Sequence, residues 1–280
     1  MVDIEQITQF IRDFNKEYGY KGAVIGISGG IDSAVAAKLT VDAIGPNNVL
    51  GLLMPDRDSA PTTLDHSRLV AEFLGIKYKI RNVTRILRPI GVYRLFPPAF
   101  IFPRKFQEKW TRKTMGNVSG DPFIDDLRNT GPQKMRNGFA FYRIKHRIRT
   151  ILEYFYAEQL QYAVIGCANK TEVVTGFYVK YGDDSSDIAP ISHLYKTEVY
   201  EIARELRIPE VIINKAPSPD LMPGVSDEYA INMKYVDLDR ILQKLDNDDN
   251  SLDKEDPVIV ERVMKIKEAA KYRTIKSIHI

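Results

Sequence analysis

The sequence predicts an α/β fold in which helices flank a doubly wound parallel sheet. Short apolar runs alternate with segments of helical periodicity in the order βαβαβ up to about residue 83. The connections between these segments are short, and this order with short connections is typical of parallel sheets. A glycine-rich turn, GISGGIDS, joins the first predicted strand to the helix that follows it.

The first part of the chain contains three predicted strands. They cover residues 22–27, 48–55 and 76–83, and the helices that connect them cover 32–44 and 62–75. Each connecting helix ends at a glycine, which is a common stop signal. A further helix is predicted over 3–18, where isoleucines and phenylalanines recur at intervals of three and four residues.

The regular pattern breaks over residues 84–136, where several glycines, prolines and asparagines occur. We interpret about 88–141 as an irregular basic insertion in a single domain that spans 1–280. Regularity resumes with predicted elements on either side of a loop at 180–195. They are a helix over 139–160, a strand over 162–166, and helices over 196–207, 226–245 and 255–271.

The composition is that of an ordinary globular protein, with 44% hydrophobic and 28% charged residues in a chain of 280. No run of 18 apolar residues occurs, and the N-terminus lacks the basic start and apolar core of a signal peptide. The single cysteine, Cys167, excludes an internal disulfide and fits a reducing compartment. We therefore expect a cytoplasmic protein without membrane association. The net charge of +3 is too small to indicate nucleic-acid binding by itself.

Three kinds of chemistry compete for the glycine-rich turn. A Walker A loop requires a lysine after the glycines, and none is present. A nucleophile elbow fits the G-x-S-x-G spacing, but it needs an acid and then a histidine downstream. None of the four histidines stands in a convincing setting for that role.

The third interpretation is a pyrophosphate loop, and it accounts for the whole SGGIDS string. Gly29 and Gly30 allow backbone N–H groups to approach an anion closely, and Ser28 and Ser33 add hydroxyl donors. The start of the following helix contributes partial positive charge. Asp32 in the first helical turn is placed to hold magnesium against phosphates.

The loop resembles that of the N-type ATP pyrophosphatases, which split ATP between its α and β phosphates and transfer AMP to a substrate oxygen. Residues 164–209, VIGCANKTEVVTGFYVKYGDDSSDIAPISHLYKTEVYEIARELRIP, and 215–228, KAPSPDLMPGVSDE, are similar to the core of the ammonia-dependent NAD synthetases. The resemblance covers most of the chain outside about 88–141. It implies a Rossmann-like sheet of the adenine nucleotide alpha hydrolase type. It also implies amidation of deamido-NAD by ammonia through an adenylated carboxylate, with AMP and pyrophosphate released.

The resemblance also implies roles for individual residues. Asp32 and Glu172 would bind Mg²⁺, and with Lys196 they would form the catalytic set. ATP would contact the phosphate loop together with three residues from later motifs. These ATP-binding residues are Gly26, Ile27, Ser28, Gly29, Gly30, Ile31, Asp32, Ser33, Cys167, Lys196 and Ser218. The dinucleotide acceptor would contact Arg147, Lys180, Asp187 and Lys271. The resemblance further implies a homodimer.

Several acceptor-side positions depart from the family pattern, whereas the phosphate loop is intact. Cys167 replaces a threonine, Asp184 replaces a glycine, and Ala270 stands where a histidine precedes Lys271. The residues therefore leave a second possibility open. In it, the protein is an N-type ATP pyrophosphatase that adenylates a different acceptor, either another carboxylate or a tRNA base.

The basic character of the predicted insertion is relevant to the second possibility, because a basic segment can contact RNA. Residues 94–149 contain thirteen lysines and arginines against four acidic residues, with Trp110 and several phenylalanines between them. Such a segment could contact RNA, clamp a dinucleotide pyrophosphate or pack in a dimer interface. An active-site lid with a solvated basic face is the simpler interpretation, and we do not expect nucleic acid as the main partner.

Overall fold

The computed structural model describes residues 2–96, 120–217, 226–247 and 250–275. Its centre is a four-stranded sheet with the order β3-β2-β1-β4, in which every pair is parallel. The strands are β1 (Ala23–Gly26), β2 (Val49–Leu53), β3 (Lys77–Ile80) and β4 (Ala163–Ile165). The predicted α/β fold with a parallel sheet is confirmed.

Helices surround this sheet. In chain order they are α1 (Ile4–Tyr18), α2 (Ile31–Ile44), α3 (Thr63–Phe73), α4 (Thr84–Leu87), α5 (Pro122–Arg128), α6 (Gln133–Leu160), α7 (Lys170–Thr175), α8 (Lys196–Glu205), α9 (Glu210–Ile213), α10 (Asp227–Ile231), α11 (Tyr235–Asp246) and α12 (Pro257–Thr274). Short 3₁₀ turns cover Pro46–Asn48, Val92–Arg94 and Asn250–Lys254. Among the described residues, no helix combines the length and the apolar character needed to cross a membrane.

Each face of the sheet packs against its own layer of helices. Ala23 and Ile25 of β1 join a core with side chains from α1, α2 and α8, whereas Val24 faces the opposite layer with side chains of α6. Successive strand residues point to opposite faces, so a sheet covered on both sides needs continuously apolar central strands. This requirement explains the uninterrupted apolar run of β2, which is buried at all five positions.

A third core lies among the helices α5, α10, α11 and α12. Leu127, Leu238 and Ile266 are among its buried members, and Tyr195, which immediately precedes α8, belongs to it too. Because α8 begins beside this cluster, the helical group is joined to one side of the sheet. This arrangement brings residues from the last third of the chain to the edge where β1 and β4 end.

Three element predictions need correction. The helix predicted from residue 139 begins at Gln133, so the end of the predicted insertion is helical. The single helix predicted over 226–245 is wrong, because Asn232 adopts a left-handed φ of 59° and ends α10 before α11 begins. Helix α7 lies within a segment for which no helix was predicted, since six residues carry too little periodicity. The most basic part of the predicted insertion, 97–119, lies outside the described residues.

Candidate active site

The phosphate loop leaves the carboxyl end of β1 and enters α2 at Ile31, as the sequence predicts. Its polar groups bond to one another. The hydroxyl oxygen of Ser33 accepts from the backbone N–H of Ser28 at 3.2 Å, and the two serine hydroxyls lie 3.0 Å apart. The N–H of Gly30 donates to the Ser28 hydroxyl at 3.2 Å. These contacts hold the loop in a compact turn at the start of the helix, where an anion is stabilised.

Two glycines of the loop have close neighbours. Gly29 has φ of +71°, and a Cβ there would lie 2.8 Å from the Cβ of His66. A Cβ on Gly26 would lie 2.3 Å from Oε1 of Glu153. Real Cβ atoms do not approach so closely, so a side chain at either position would displace its neighbours.

Asp32 is the point where three segments of the chain meet. Its Oδ1 accepts a hydrogen bond from Nδ2 of Asn169 at 3.0 Å, and its Oδ2 pairs with the ammonium of Lys196. Asp32 belongs to α2, Asn169 precedes α7, and Lys196 begins α8. The structure therefore brings together Asp32 and Lys196, which the sequence predicts to act at one site.

Glu172 is oriented by a capping box at the start of α7. The side chain of Asn169 accepts from the N–H of Glu172 at 3.0 Å, and the Glu172 carboxylate accepts from the N–H of Asn169 at 3.1 Å. Burial raises the pKa of Glu172 well above its ordinary value, and the nearby Asp32 carboxylate raises it further. Two carboxylates are thus held close enough to repel each other.

Lys196 is only 2% exposed, so it is not the solvated surface lysine that its type alone would indicate. Burial disfavours its charged form, but Asp32, Glu172 and Asp227 more than compensate and raise its pKa. Asp227 is itself 5% exposed, and burial raises its pKa to about 6. The ring of Tyr235 lies 5.4 Å from the Lys196 ammonium, and its hydroxyl donates to Asp227 at 3.1 Å.

Sequence reasoning did not identify the residues that support this site. Asn169 joins Asp32 to the capping box, and Asp239 accepts from the Thr171 hydroxyl at 2.6 Å and from the Thr197 N–H at 2.8 Å. The N–H of Lys196 donates to the same Thr171 hydroxyl at 2.9 Å. The Asn-x-x-Glu spacing could have revealed the cap. No local sequence pattern indicates that Asp227 or Asp239 belongs to the site, because their partners are distant in sequence.

The donor set fits magnesium. Asp32 and Glu172 supply the oxygen ligands that this ion prefers, and Oδ1 of the buried Asp227 has no hydrogen-bond partner among the described residues. Within the same residues, no group of three or more acidic, histidine or cysteine side chains is arranged to hold a metal. Magnesium is usually held by one or two carboxylates together with substrate phosphates, so a pair of carboxylates beside a phosphate loop agrees with that pattern.

The predicted acceptor residues fall into two groups. Arg147 donates from Nε and a terminal nitrogen to the backbone oxygen of Lys180, at 3.2 and 3.0 Å. Asp187 accepts from the N–H of Val164 at 2.8 Å and from the Tyr154 hydroxyl at 3.3 Å, which places it beside β4. These three predicted residues, Arg147, Lys180 and Asp187, therefore lie on segments that contact α6 or β4.

The other predicted residues have different settings. Lys271 is exposed on α12 and pairs with Glu268 one turn earlier, so the structure gives it no contact with the phosphate loop among the described residues. Cys167 follows β4, and burial raises the pKa of its thiol well above the ordinary value. Ser218 lies outside the described residues.

A groove of about 490 Å³ runs along the outer side of α6. It is lined by Arg147, Thr150, Ile151, Tyr154, Phe155, Glu158 and Tyr181. Ile151 and Phe155 are 60% and 51% exposed, which is unusual for two large apolar side chains one turn apart.

The chain is similar to known proteins over most of its length. The family model for NAD synthase matches residues 3–94 and 119–277. The NH(3)-dependent NAD(+) synthetase of Thermotoga neapolitana is 52% identical over 270 residues, which are 96% of this chain and 93% of that protein. The enzyme of the same name from Methanocaldococcus jannaschii is 37% identical over 240 residues, which are 86% of this chain and 79% of that protein.

Solved structures show the same fold. The NH3-dependent NAD synthetase from Campylobacter jejuni superposes with a TM-score of 0.71 at 26% identity and covers all of both chains. The NMN synthetase from Francisella tularensis superposes with a TM-score of 0.70 at 23% identity, over 100% of this chain and 99% of that one. At 23% identity, the similarity to the NMN synthetase shows a shared fold only.

Proposed function

The chain belongs to the NAD synthase family, and we propose that it amidates deamido-NAD with ammonia at the expense of ATP. The protein is a ligase that forms NAD and a C–N bond. The observation that carries the proposal is the meeting of Asp32, Glu172 and Lys196 beside an intact phosphate loop. Alternative acceptors are not favoured, because relatives that match almost the whole chain are named for NAD synthesis.

In the first step, a carboxylate oxygen of deamido-NAD attacks the α-phosphorus of ATP, and pyrophosphate leaves with the electron pair of the broken bond. Backbone N–H groups of the loop and the start of α2 stabilise the phosphates. Lys196 supplies a fixed positive charge, since its raised pKa keeps the ammonium protonated at neutral pH. Ser28, Ser33 and the loop residues between them position ATP, and Ser218 belongs to the same proposed set.

Asp32 and Glu172 would hold Mg²⁺. When bound, the ion neutralises the negative charge that develops on the leaving pyrophosphate. The raised pKa of Glu172 is consistent with this role, because a carboxylate that is costly to ionise alone is stabilised by a cation.

The acceptor lies on the β4 side of the loop in this proposal. Asp187 and Tyr154 line that side, and Arg147 and Lys180 offer positive charge for a dinucleotide pyrophosphate. Cys167 follows β4 and contacts ATP without acting as a nucleophile, since burial keeps its thiol protonated. Lys271 belongs to the proposed set by family resemblance, and its exposed position leaves it free to move toward a substrate.

We further propose a homodimer, a single domain over 1–280 and a cytoplasmic location. The exposed apolar pair Ile151 and Phe155 on α6 supports the dimer, because burying such a patch against a second copy removes it from water. The groove beside the pair is also lined by Arg147, which connects the proposed interface to the acceptor side. Ammonia enters as a free substrate or from a separate protein.

The first step can be tested without ammonia. Labelled pyrophosphate should exchange into ATP only when deamido-NAD is present, and Asp32→Ala should abolish the exchange. Asp42→Ala on the same helix is the matched control, since Asp42 forms a surface pair with Lys38 on that helix. Wild-type protein that shows no exchange with deamido-NAD, or exchange driven by another carboxylate such as aspartate, would overturn the proposed acceptor.

A further inference from the structure

The carboxyl group of Glu153 has no role in the proposed first step, yet it lies against the phosphate loop. Glu153 belongs to α6, and its Oε1 occupies the space that a side chain on Gly26 would fill. Gly26 is the last residue of β1 and the first of the loop. The carboxyl group therefore reaches the carboxyl end of the central strand, at the site of the chemistry.

This position is the switch point of the sheet. Strands β2 and β3 lie on one side of β1 and β4 lies on the other, so a crevice opens between the ends of β1 and β4. Ligands of doubly wound sheets bind in such crevices. The Glu153 carboxyl interacts electrostatically with Cys167, which follows β4, and with Asp183 from the segment after α7. Its neighbours thus come from both strands that border the crevice.

In the part of the chain that the structure describes, no cationic side chain contacts this carboxyl group directly. Among the described residues, no hydrogen bond or ion pair is made by the Glu153 side chain, although Arg149 lies one turn away on α6. A half-buried carboxyl group without a protein partner is costly unless it is protonated or receives a ligand. The second half of the proposed reaction brings in a ligand of suitable charge, namely ammonium.

We propose that Glu153 binds the incoming ammonium ion and accepts a proton from it, so that ammonia is released beside the adenylated carboxylate. This inference rests on the proposed function and identifies the residue that handles its nitrogen substrate. Ammonium has no lone pair and cannot attack, and it is the main form of ammonia at neutral pH. Ammonium must therefore lose a proton before the amidation step, and a base at the crevice would remove it. The adenylation step needs no such base.

The step balances in protons and electrons. An N–H bond of ammonium breaks and an O–H bond forms on Glu153. The nitrogen lone pair then forms the C–N bond, and the C–O bond to AMP breaks with its electron pair leaving on AMP. Glu153 gives up its own proton to solvent when ammonium binds and regains one from the ammonium, so it ends each turnover in its protonated resting form. The surplus proton on the tetrahedral nitrogen passes to water.

In the resting site at neutral pH Glu153 is mostly protonated, and it ionises when ammonium binds, because a nearby cation lowers the pKa of a carboxyl group. Burial raises the pKa of Glu153 to about 8, the positive Arg149 lowers it, and the negative Asp183 raises it. The charge of Glu153 also acts on Cys167 and Tyr154, and both remain protonated at neutral pH because burial raises their own pKa values. General bases work best when their pKa lies near the operating pH.

The test compares Glu153→Gln with wild type in both half-reactions. Pyrophosphate exchange with deamido-NAD reports adenylation and folding together, and it should stay within about twofold of wild type. NAD formation from ammonium chloride at pH 7 should fall on the order of a hundredfold, with a raised KM for ammonium. Hydroxylamine, a nucleophile that is largely unprotonated at neutral pH, should give similar rates of hydroxamate formation in both proteins.

Two further variants complete the design. Glu201→Gln, exposed on α8, is the control and should leave every rate unchanged. Glu153→Asp keeps a carboxyl group and should recover part of the ammonium-dependent rate. Equal losses with ammonium and hydroxylamine, or an unchanged rate with ammonium, would overturn the role of Glu153. Wild-type protein without any exchange would instead overturn the proposed function on which this role depends.

Discussion

Asp32 could be predicted from the sequence as a site residue, but its contacts could not. Its place after two glycines, in the first turn of a predicted helix, identifies it as a metal-ligand candidate from sequence alone. Its partner Lys196 lies 164 residues away, so the ion pair and the burial of the lysine could not be predicted. Local motifs name the residues of this site, but the distances between them depend on how three helices pack around the sheet.

Gly26 is a residue-scale test of the contact with Glu153. Gly26→Ala should lower the free energy of unfolding by about 1 kcal/mol, because the added methyl group must displace the end of the Glu153 side chain. Urea denaturation measures the change. Gly138→Ala on α6 meets no atom within 4 Å and should not destabilise. The double variant Gly26→Ala with Glu153→Ala should recover part of the loss, and fully additive losses would refute the overlap.

The raised pKa of Glu153 also predicts a pH dependence of stability. The folded protein holds this proton up to about pH 8, whereas the unfolded chain releases it near the ordinary value of 4.5. The folded state therefore loses stability relative to the unfolded state as pH rises from about 4.5 to 8. In Glu153→Gln this loss should be absent. The free energy of unfolding of the variant should therefore rise relative to that of wild type as the pH increases. Parallel unfolding curves for the two proteins from pH 5 to pH 8 would contradict the shift.

Helix α7 shows the same limit at the scale of an element. Its six residues fall within a segment that gave no helical prediction, yet its capping box fixes Glu172 and its N-cap Asn169 contacts Asp32. The longer α1, α2 and α8 agree with their predicted bounds to within two residues, because each carries several turns of periodicity. Short helices that depend on caps and tertiary contacts are not predicted from hydrophobic periodicity. Helix α7 is one of them, and it carries Glu172.

Asn169→Ala separates the two roles of the cap. Loss of the cap should cost about 0.5–2 kcal/mol of stability, and loss of the contact with Asp32 should additionally reduce pyrophosphate exchange. Asp3→Ala is the matched control, because Asp3 caps α1 through the N–H of Gln6. It should lower the melting temperature similarly while leaving exchange intact. Equal activity in both variants would show that Asn169 acts only as a cap.

At the scale of the whole molecule, the sequence predicted the parallel sheet and its helical layers. The strand order and the helical cluster around α11 and α12 came only from the structure, since they depend on contacts between distant segments. The departures at Cys167 and Asp184 left the acceptor open in the sequence. The match of the family over 3–94 and 119–277 now favours deamido-NAD.

The proposed homodimer is a prediction at this scale. Ile151→Asp should weaken association, because it puts a charge into the exposed apolar pair on α6. Analytical ultracentrifugation of both proteins measures the effect. Val258→Asp on α12, where the side chain is also exposed, should leave the oligomeric state unchanged. A monomeric wild type, or an undisturbed dimer in Ile151→Asp, would refute this interface.

The proposed reaction is tested most directly by one assay with ATP, magnesium, ammonia and deamido-NAD that follows NAD and AMP together. We expect both products to appear in equal amounts and Asp32→Ala to stop the formation of both. AMP that forms without NAD, or ATP binding without either product, would contradict the central claim that this site activates the carboxylate of deamido-NAD.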